Sequence, residues 1–531
     1  MSGRQIARAV TGLTVLSFLS PAAGLLAEAV LAWRFGTSAT VDGFRIGMLL
    51  VTLVQQLLVV SVLPNVIVPL LVRNDHGDAA AGWRLVVRLG WALSIPTAAL
   101  TLLLYRWPGA VVAVLAPGLE GSGHDTAVFF VRYLGLSFLP ILWTGLWASI
   151  LYARGVFWIT PAAQITGNLL FAAILTVGRD GSTTGPAIAA LAGASVPVLL
   201  SWAGVRRFRP AHQTPTPAWR QQDLVRLARL TGPLLAGSAV AQIGGIIVNR
   251  ELSTLSEGSI AAFGYAWKLL QIVAIPSAAI ATVLFPRMVL SASRAAHGGY
   301  APRALASAGV PGVTIGRALR ITVFLIVPVT CVLFLSREPL VSLLLGRGRF
   351  GLDAVASTSR LFGLLVLGAP PTVLALLLTK AYYAGQDTSS PALVQAAGVG
   401  VLVLLAPLCT ARAGDLGIAL LLSGLSWLTC VGLMVHPAAR AHVPPVATLR
   451  GVSLATCTIT ATSALAWWAT SSLGPIRAVI GNIPTSLLAI GVGALVFVIL
   501  TTRSGLPEFA DVTRYLRWRG TALLRRCGVG A

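Results

Sequence analysis

The sequence predicts an all-α polytopic membrane protein of about fourteen transmembrane helices, built as two six-helix lobes followed by two C-terminal helices. Three observations carry this. Of 531 residues, 56% are hydrophobic and only 10% charged, against about 25% charged in an ordinary soluble domain, so the chain cannot clothe a water-facing surface. Its apolar residues fall in runs close to the roughly 20 that a helix needs to cross a bilayer core of about 30 Å. Its charge is lopsided, with 39 Lys and Arg against 16 Asp and Glu for a net +23, and the basic residues gather in the breaks between runs. Within lipid the backbone must satisfy its own hydrogen bonds, which leaves helices or a closed barrel. Unbroken apolar runs exclude the alternation of barrel strands.

Fourteen runs lie near 11–34, 44–72, 85–105, 127–152, 158–177, 184–204, 228–250, 259–286, 317–336, 358–384, 391–410, 414–435, 451–470 and 480–502. The runs 44–72 and 259–286 are long, which predicts tilt, a kink or an interfacial extension. The apolar segment Pro108 to Pro117 is too short to span and is expected at the interface. The first run continues past position 30, too long for the core of a signal peptide, so it is expected to be retained as a helix. A polar break at 205–227, with Pro210, Pro215 and Pro217 among Arg, Gln and Thr, separates an N-terminal lobe (1–204) from a second lobe (228–435). The second and eighth spans are both long, and each carries a cation in its first half, Arg45 and Lys268. Such correspondence suits a transporter built from repeats. Residues 436–502 add two helices, and 503–531 form a basic tail that reads as a short helix at the inner surface.

Arg and Lys concentrate on the cytoplasmic side of membrane proteins. Arg206, Arg207, Arg209, Arg220, Arg226 and Arg229 crowd the central break. Arg287, Arg294, Arg303, Arg317 and Arg320 surround another, and the tail carries Arg503, Arg514, Arg517, Arg519, Arg525 and Arg526. This places both termini in the cytoplasm and predicts attraction to anionic lipid head groups. It does not point to nucleic acid, which needs a polar body bearing the basic patch. Five Cys form no disulfide framework or metal pattern. No P-loop, HExxH or credible nucleophile elbow is present. The chain is read as a transporter rather than an enzyme, with no cofactor.

Charges inside spans are costly and tend to face a cavity. Glu28, flanked by apolar residues, is a candidate proton or cation site, or the partner of an arginine. Arg45, three residues after Asp42, is a candidate cavity cation for an anionic substrate or an interfacial residue. Arg34, ending the first span, is a weaker candidate of the same kind. Lys268 and Gln271 share a helix face at i,i+3 and suit a phosphate or a sugar hydroxyl. Gln55 and Gln56, mid-span, either line a wet cavity or tie helices together, since buried amides must be hydrogen-bonded.

Several stretches resemble the MurJ/MviN family. They are Ala27 to Gly36 (AEAVLAWRFG) with Val41-Asp42-Gly43-Phe44, Leu115-Ala116-Pro117-Gly118, Tyr265-Ala266-Trp267-Lys268-Leu269, and Ala281 to Pro286. Glu338-Pro339-Leu340-Val341 with Arg347-Gly348-Arg349-Phe350, Lys380 to Thr388, and Gly505-Leu506-Pro507-Glu508 continue the match in order along nearly the whole chain. The resemblance implies a member of the multidrug/oligosaccharidyl-lipid/polysaccharide exporter superfamily, with alternating access around a central cavity. It implies a polyprenyl-pyrophosphate-linked glycan as substrate, lipid II first, and cell-wall synthesis proteins as partners. It also implies that the last two helices take the lipid tail. The family commonly has Arg-Asp where this chain has Ala27-Glu28, arginines where it has Gln55 and Gln56, a Glu near Val60, and Asp-Arg where it has Trp267-Lys268. Arg45 is a candidate replacement.

Three other readings stay open: a flippase for another polyprenyl-linked polysaccharide unit, a non-transporting scaffold of cell-envelope assembly, and a drug or cation antiporter. The topology is testable by fusion. A reporter inserted within 206–227 is expected in the cytoplasm and one at 350–356 outside, and the opposite location at either position overturns the orientation.

Overall fold

The computed structural model describes residues 3–62, 67–68, 71, 79–178, 182–209, 239, 242–271, 315–384, 387 and 389–435. All the regular structure among them is helical. The chain opens with α1 (Gly3–Phe35) and α2 (Ala39–Val54), which runs into a π-helical turn over Gln55–Val62. There follow α3 (Ala79–Arg106), the short α4 (Pro108–Leu115), α5 (Gly121–Leu134), α6 (Phe138–Ala153), α7 (Ile159–Val177) and α8 (Thr184–Val205). Helical residues 242–253 and 259–271 form α9 and α10. Then come α11 (Ile315–Leu335), α12 (Arg337–Leu345), α13 (Leu352–Val366), α14 (Ala369–Ala384) and α15 (Ser389–Val435).

Six stretches among the described residues are long and apolar enough to cross a membrane: Val86–Arg106, Gly121–Ala153, Ile159–Val177, Thr184–Phe208, Leu352–Tyr383 and Ser389–Val435. The last has 47 residues, far more than one crossing requires at 1.5 Å per residue. It breaks at Gly414, whose φ of 58° and ψ of −139° are non-helical. The expected spans 391–410 and 414–435 flank that break. The short apolar segment after Trp107 is helix α4, with Pro108 at its start, where the missing N–H costs nothing. The runs 451–470 and 480–502, the tail, and residues 210–227 of the expected linker lie outside the described residues. So do the outer parts of the runs 228–250 and 259–286.

The spans differ in what surrounds them. Of the most apolar window of Ser389–Val435 only 11% is buried within the protein, against 72% for Gly121–Ala153 and for Leu352–Tyr383. The first leaves leucines such as Leu393, Leu404 and Leu420 exposed, while the other two are packed by protein.

The residues group into two units. One comprises 1–272, 344–358 and 399–418, and the other 273–343, 359–398 and 419–531. In the first, a core of Val86, Leu89, Leu142, Leu146, Ile150 and Val205 joins α3, α6 and α8. Glycines set the closest approaches. A Cβ on Gly43 would stand 2.7 Å from the Ala127 nitrogen, and one on Gly47 would stand 2.9 Å from Leu134 Cδ1. Gly43 and Gly47 thus make α2 a small-xxx-small surface against α5, the device that lets membrane helices pack by van der Waals contact. Gly167 and Gly193 do the same for α7 on α8.

In the second unit, Leu319, Val323, Leu374, Leu377, Leu378, Tyr382, Cys430 and Leu433 form the core, and the Tyr382 hydroxyl donates to the Leu433 carbonyl at 2.8 Å. Asp387 precedes α15 and accepts from the backbone N–H and hydroxyl groups of Ser389 and Ser390, which hold its carboxyl down at about 2. This satisfies donors orphaned at a helix start.

Gly43→Ala is expected to wedge α2 off α5 and lower stability by about 1–3 kcal/mol, the usual cost of overpacking. Gly400→Ala, where an added Cβ meets nothing within 4 Å, is expected to be neutral or slightly stabilising. Thermal unfolding of the two purified variants distinguishes them.

Candidate functional site

The site is framed by a clasp within the first unit. Asp42, in the first turn of α2, is 2% exposed. Its two carboxylate oxygens accept the backbone N–H groups of Gly258 at 2.6 Å and Ala261 at 2.7 Å. It therefore caps α10 from another helix. The capping is reciprocal, because Glu257 Oε1 accepts the N–H of Ala39, the first residue of α2, at 2.7 Å. Carboxylates at helix N-termini satisfy orphan donors and complement the helix dipole.

Around this clasp three turns interlock at positions of positive φ. Gly36 (φ 59°) abuts the Arg349 carbonyl, Gly258 (φ 88°) the Thr37 carbonyl, and Gly348 (φ 62°) Trp33. The Arg349 N–H donates to the Trp33 carbonyl at 2.9 Å. Gly118 N–H reaches the Ser253 hydroxyl at 3.2 Å. Phe350 stands edge-on to Tyr265 at 5.4 Å, and the Tyr265 hydroxyl donates to the Gly36 carbonyl at 3.1 Å.

Below the clasp, Arg45 and Glu28 form a bidentate ion pair, Nη1 to Oε1 at 3.0 Å and Nη2 to Oε2 at 2.5 Å, with side chains 15% and 14% exposed. The guanidinium lies over the Tyr265 ring, 4.9 Å from its centre. Gly264 makes room for it, since a Cβ there would stand 2.6 Å from Arg45 Nε. Fork-to-fork pairing of this kind adds geometric definition to the charge attraction.

Both residues line a cavity of about 710 Å³ whose walls also include Gly24, Gln55, Gln164, Asn168 and Lys268. Gly24 lies beside the end of the Lys268 side chain. A Cβ on Gly24 would be 3.7 Å from Lys268 Nζ and 3.5 Å from Asn168 Nδ2. Among the described residues the charged groups of this lining are one carboxylate and two cations, a net of one positive charge. Lys268 makes no ion pair among the described residues.

The expected site residues are distributed unevenly. Glu28, Arg45, Lys268 and Gln55 line the cavity. Gln55 begins the π-helical turn, a feature common at functional positions. Gln56 and Gln271 are not among the lining residues, and Gln271 is exposed. Arg34 donates through Nη1 to the Leu175 carbonyl and so covers the C-terminal end of α7. Sequence reasoning missed Thr160, Gln164 and Asn168 of α7, which all line the cavity. The signal was present as polar residues at i, i+4 and i+8 on an otherwise apolar span.

Removing one member of a buried pair strands the other, whereas replacing both is far milder. Glu28→Leu is expected to destabilise by up to about 3 kcal/mol, and the double variant Glu28→Leu/Arg45→Leu by less than either single change. A thermal-unfolding cycle on the purified protein checks this.

Comparison with known proteins bears on the whole chain. The family model described as lipid II flippase MurJ matches residues 31–487. The chain is 24% identical over 439 residues to the probable lipid II flippase MurJ of Rhizobium meliloti (strain 1021), covering 79% of this chain and 78% of that one. It is 25% identical over 406 residues to the lipid II flippase MurJ of Burkholderia cenocepacia, covering 74% and 75%. Among solved structures, a lipid II flippase MurJ in an inward closed conformation superposes with a TM-score of 0.77 at 17% identity, over 94% of this chain and 99% of that one. An inward-facing multidrug resistance MATE family transporter of the MOP superfamily gives 0.57 at 15% identity, over 84% and 95%. The fold is therefore that of these transporters, and with the family model matched from residue 31 to 487 the chain belongs to the lipid II flippase MurJ family.

Proposed function

We propose that this protein is a lipid II flippase, which carries the polyprenyl-pyrophosphate-linked peptidoglycan precursor from the inner to the outer leaflet of the cytoplasmic membrane by alternating access. The family match over residues 31–487 carries the reading. A charged, sugar-bearing head group cannot cross about 30 Å of hydrocarbon unaided. A cavity of about 710 Å³ with a net positive lining lowers that barrier. The protein's work is binding and re-exposure of its substrate, with no covalent chemistry.

In this reading the chain has fourteen helices. A six-helix lobe (1–204), a basic linker (205–227) and a second lobe (228–435) are followed by two further helices (436–502) and a basic tail (503–531), with both termini in the cytoplasm. The apolar runs and the placement of arginines support it. Lys268 is the first contact of the pyrophosphate, as a point charge on a flexible stem. Arg45 joins it when the phosphate displaces the Glu28 carboxylate from the guanidinium, and Glu28 is the group that takes a proton or cation at that moment. Anionic lipids and cell-wall synthesis proteins are its further partners. A second reading, a flippase for a different polyprenyl-linked glycan, is favoured by one observation. Gln55 stands in the cavity where the family commonly has an arginine, and Arg45 is neutralised by Glu28.

Expression in a bacterium depleted of its own lipid II flippase is expected to restore growth. Failure to rescue, with loss of another surface polysaccharide when this chain is deleted from its host, supports the second reading. Within a rescuing system, Lys268→Ala is expected to abolish rescue at normal membrane abundance, and Arg45→Ala to abolish it together with the loss of stability that follows from stranding Glu28. Lys268→Arg should retain part of it and Lys268→Glu none. Full rescue by both alanine variants removes these residues from the substrate site.

A further inference from the structure

The cavity is chemically polarised along α7. Asn168 lies with Lys268 beside Gly24 at the charged end. Gln164 and Thr160 follow at intervals of four residues, each lining the same cavity. At 1.5 Å per residue they extend the polar stripe by about 12 Å from Asn168 towards the start of the helix. Thr160 ends that stripe with a buried hydroxyl that has no hydrogen-bond partner among the described residues. There the cavity meets Tyr152, in the last turn of α6, and Phe157, in the turn between α6 and α7. Their rings lie 5.8 Å apart and 21° from parallel, and Phe157 is 45% exposed.

A charged end, a wall of neutral donors and acceptors about 12 Å long, and an aromatic pair of which Phe157 is exposed and Tyr152 half-buried answer three different parts of one ligand. An amide and a hydroxyl on an apolar helix suit neutral sugar hydroxyl and acetamido groups, which hydrogen-bond but carry no charge. Aromatic faces suit the apolar C–H faces of a pyranose, because Tyr and Phe present large rigid surfaces. The length matches about two sugar rings.

We propose that Thr160, Gln164, Tyr152 and Phe157 form a glycan-reading wall that sets the specificity of this flippase and orients its substrate. The pyrophosphate lies at Lys268 and Asn168, and the sugars extend along α7 to the α6–α7 turn. The proposal rests on the flippase reading. It adds that the glycan, and not the pyrophosphate alone, is recognised by neutral side chains of one helix.

The test compares two ligands on the purified full chain in lipid nanodiscs: lipid II, and undecaprenyl pyrophosphate, which lacks the sugars. The wild type is expected to bind lipid II more tightly. Gln164→Leu, which keeps the helix and nearly the volume, is expected to weaken lipid II about 3- to 10-fold, the worth of a neutral hydrogen bond. Its affinity for undecaprenyl pyrophosphate should remain within about twofold of wild type. Tyr152→Ala/Phe157→Ala should act in the same selective way, and Lys268→Ala should weaken both ligands. Equal wild-type affinity for the two ligands, or loss of both in the Gln164 and aromatic variants, overturns the wall and leaves the flippase reading standing. A wild type that binds neither ligand overturns the flippase reading and the wall together.

Discussion

Asp42 is the hinge-pin of the described structure. A helix start exposes N–H groups that have no partner within the helix, and in a chain this apolar they must find one nearby. Asp42 supplies it to α10 while Glu257 supplies it to α2. Two helices more than two hundred residues apart in sequence are thereby joined start to start, with both carboxylates committed. Everything below inherits its position from that junction. Three residues after Asp42 comes Arg45, and α10 brings Gly264 and Tyr265 against its guanidinium and Lys268 to the same cavity wall.

The consequence for the charges is specific. Arg45 is held on three sides, by the Glu28 fork, the Tyr265 face and the backbone at Gly264. It is an ordered guanidinium with its charge matched. Lys268, four residues beyond Gly264 on α10, lines the cavity with no ion pair among the described residues. The lining holds one clamped cation, Arg45, and a second, Lys268, with no ion pair among the described residues. On the proposed flippase reading such a site grips phosphate less firmly than an array of bidentate arginines would, and the proposed wall along α7 takes more of the discrimination.

Several of the motifs that carried the family resemblance take part in the clasp. The residues Trp33 to Gly36, Gly118, Gly258 and Gly348 to Phe350 lie within one set of interlocked turns. Their glycines are required by positive φ or by backbone approaches that a Cβ would block.

Among the described residues, the helices and their approximate limits were legible in the sequence, because an apolar run about the thickness of the membrane has no other stable form. So was the break between the spans at 391–410 and 414–435, where Arg412, Gly414 and Asp415 interrupt the apolar residues. The candidate cations Arg45 and Lys268 were visible because a charge inside a span is rare enough to stand out. Pairing was not visible. Glu28 meets Arg45, and not the nearer Arg34, because the two face each other from adjacent helices. Arg34 instead reaches the end of α7, a partner separated from it by 141 residues. The polar stripe of Thr160, Gln164 and Asn168 was written in the sequence at helical spacing. Only tertiary packing decided that this face of α7 turns to the cavity, since periodicity fixes which residues share a face and neighbouring helices fix where that face points.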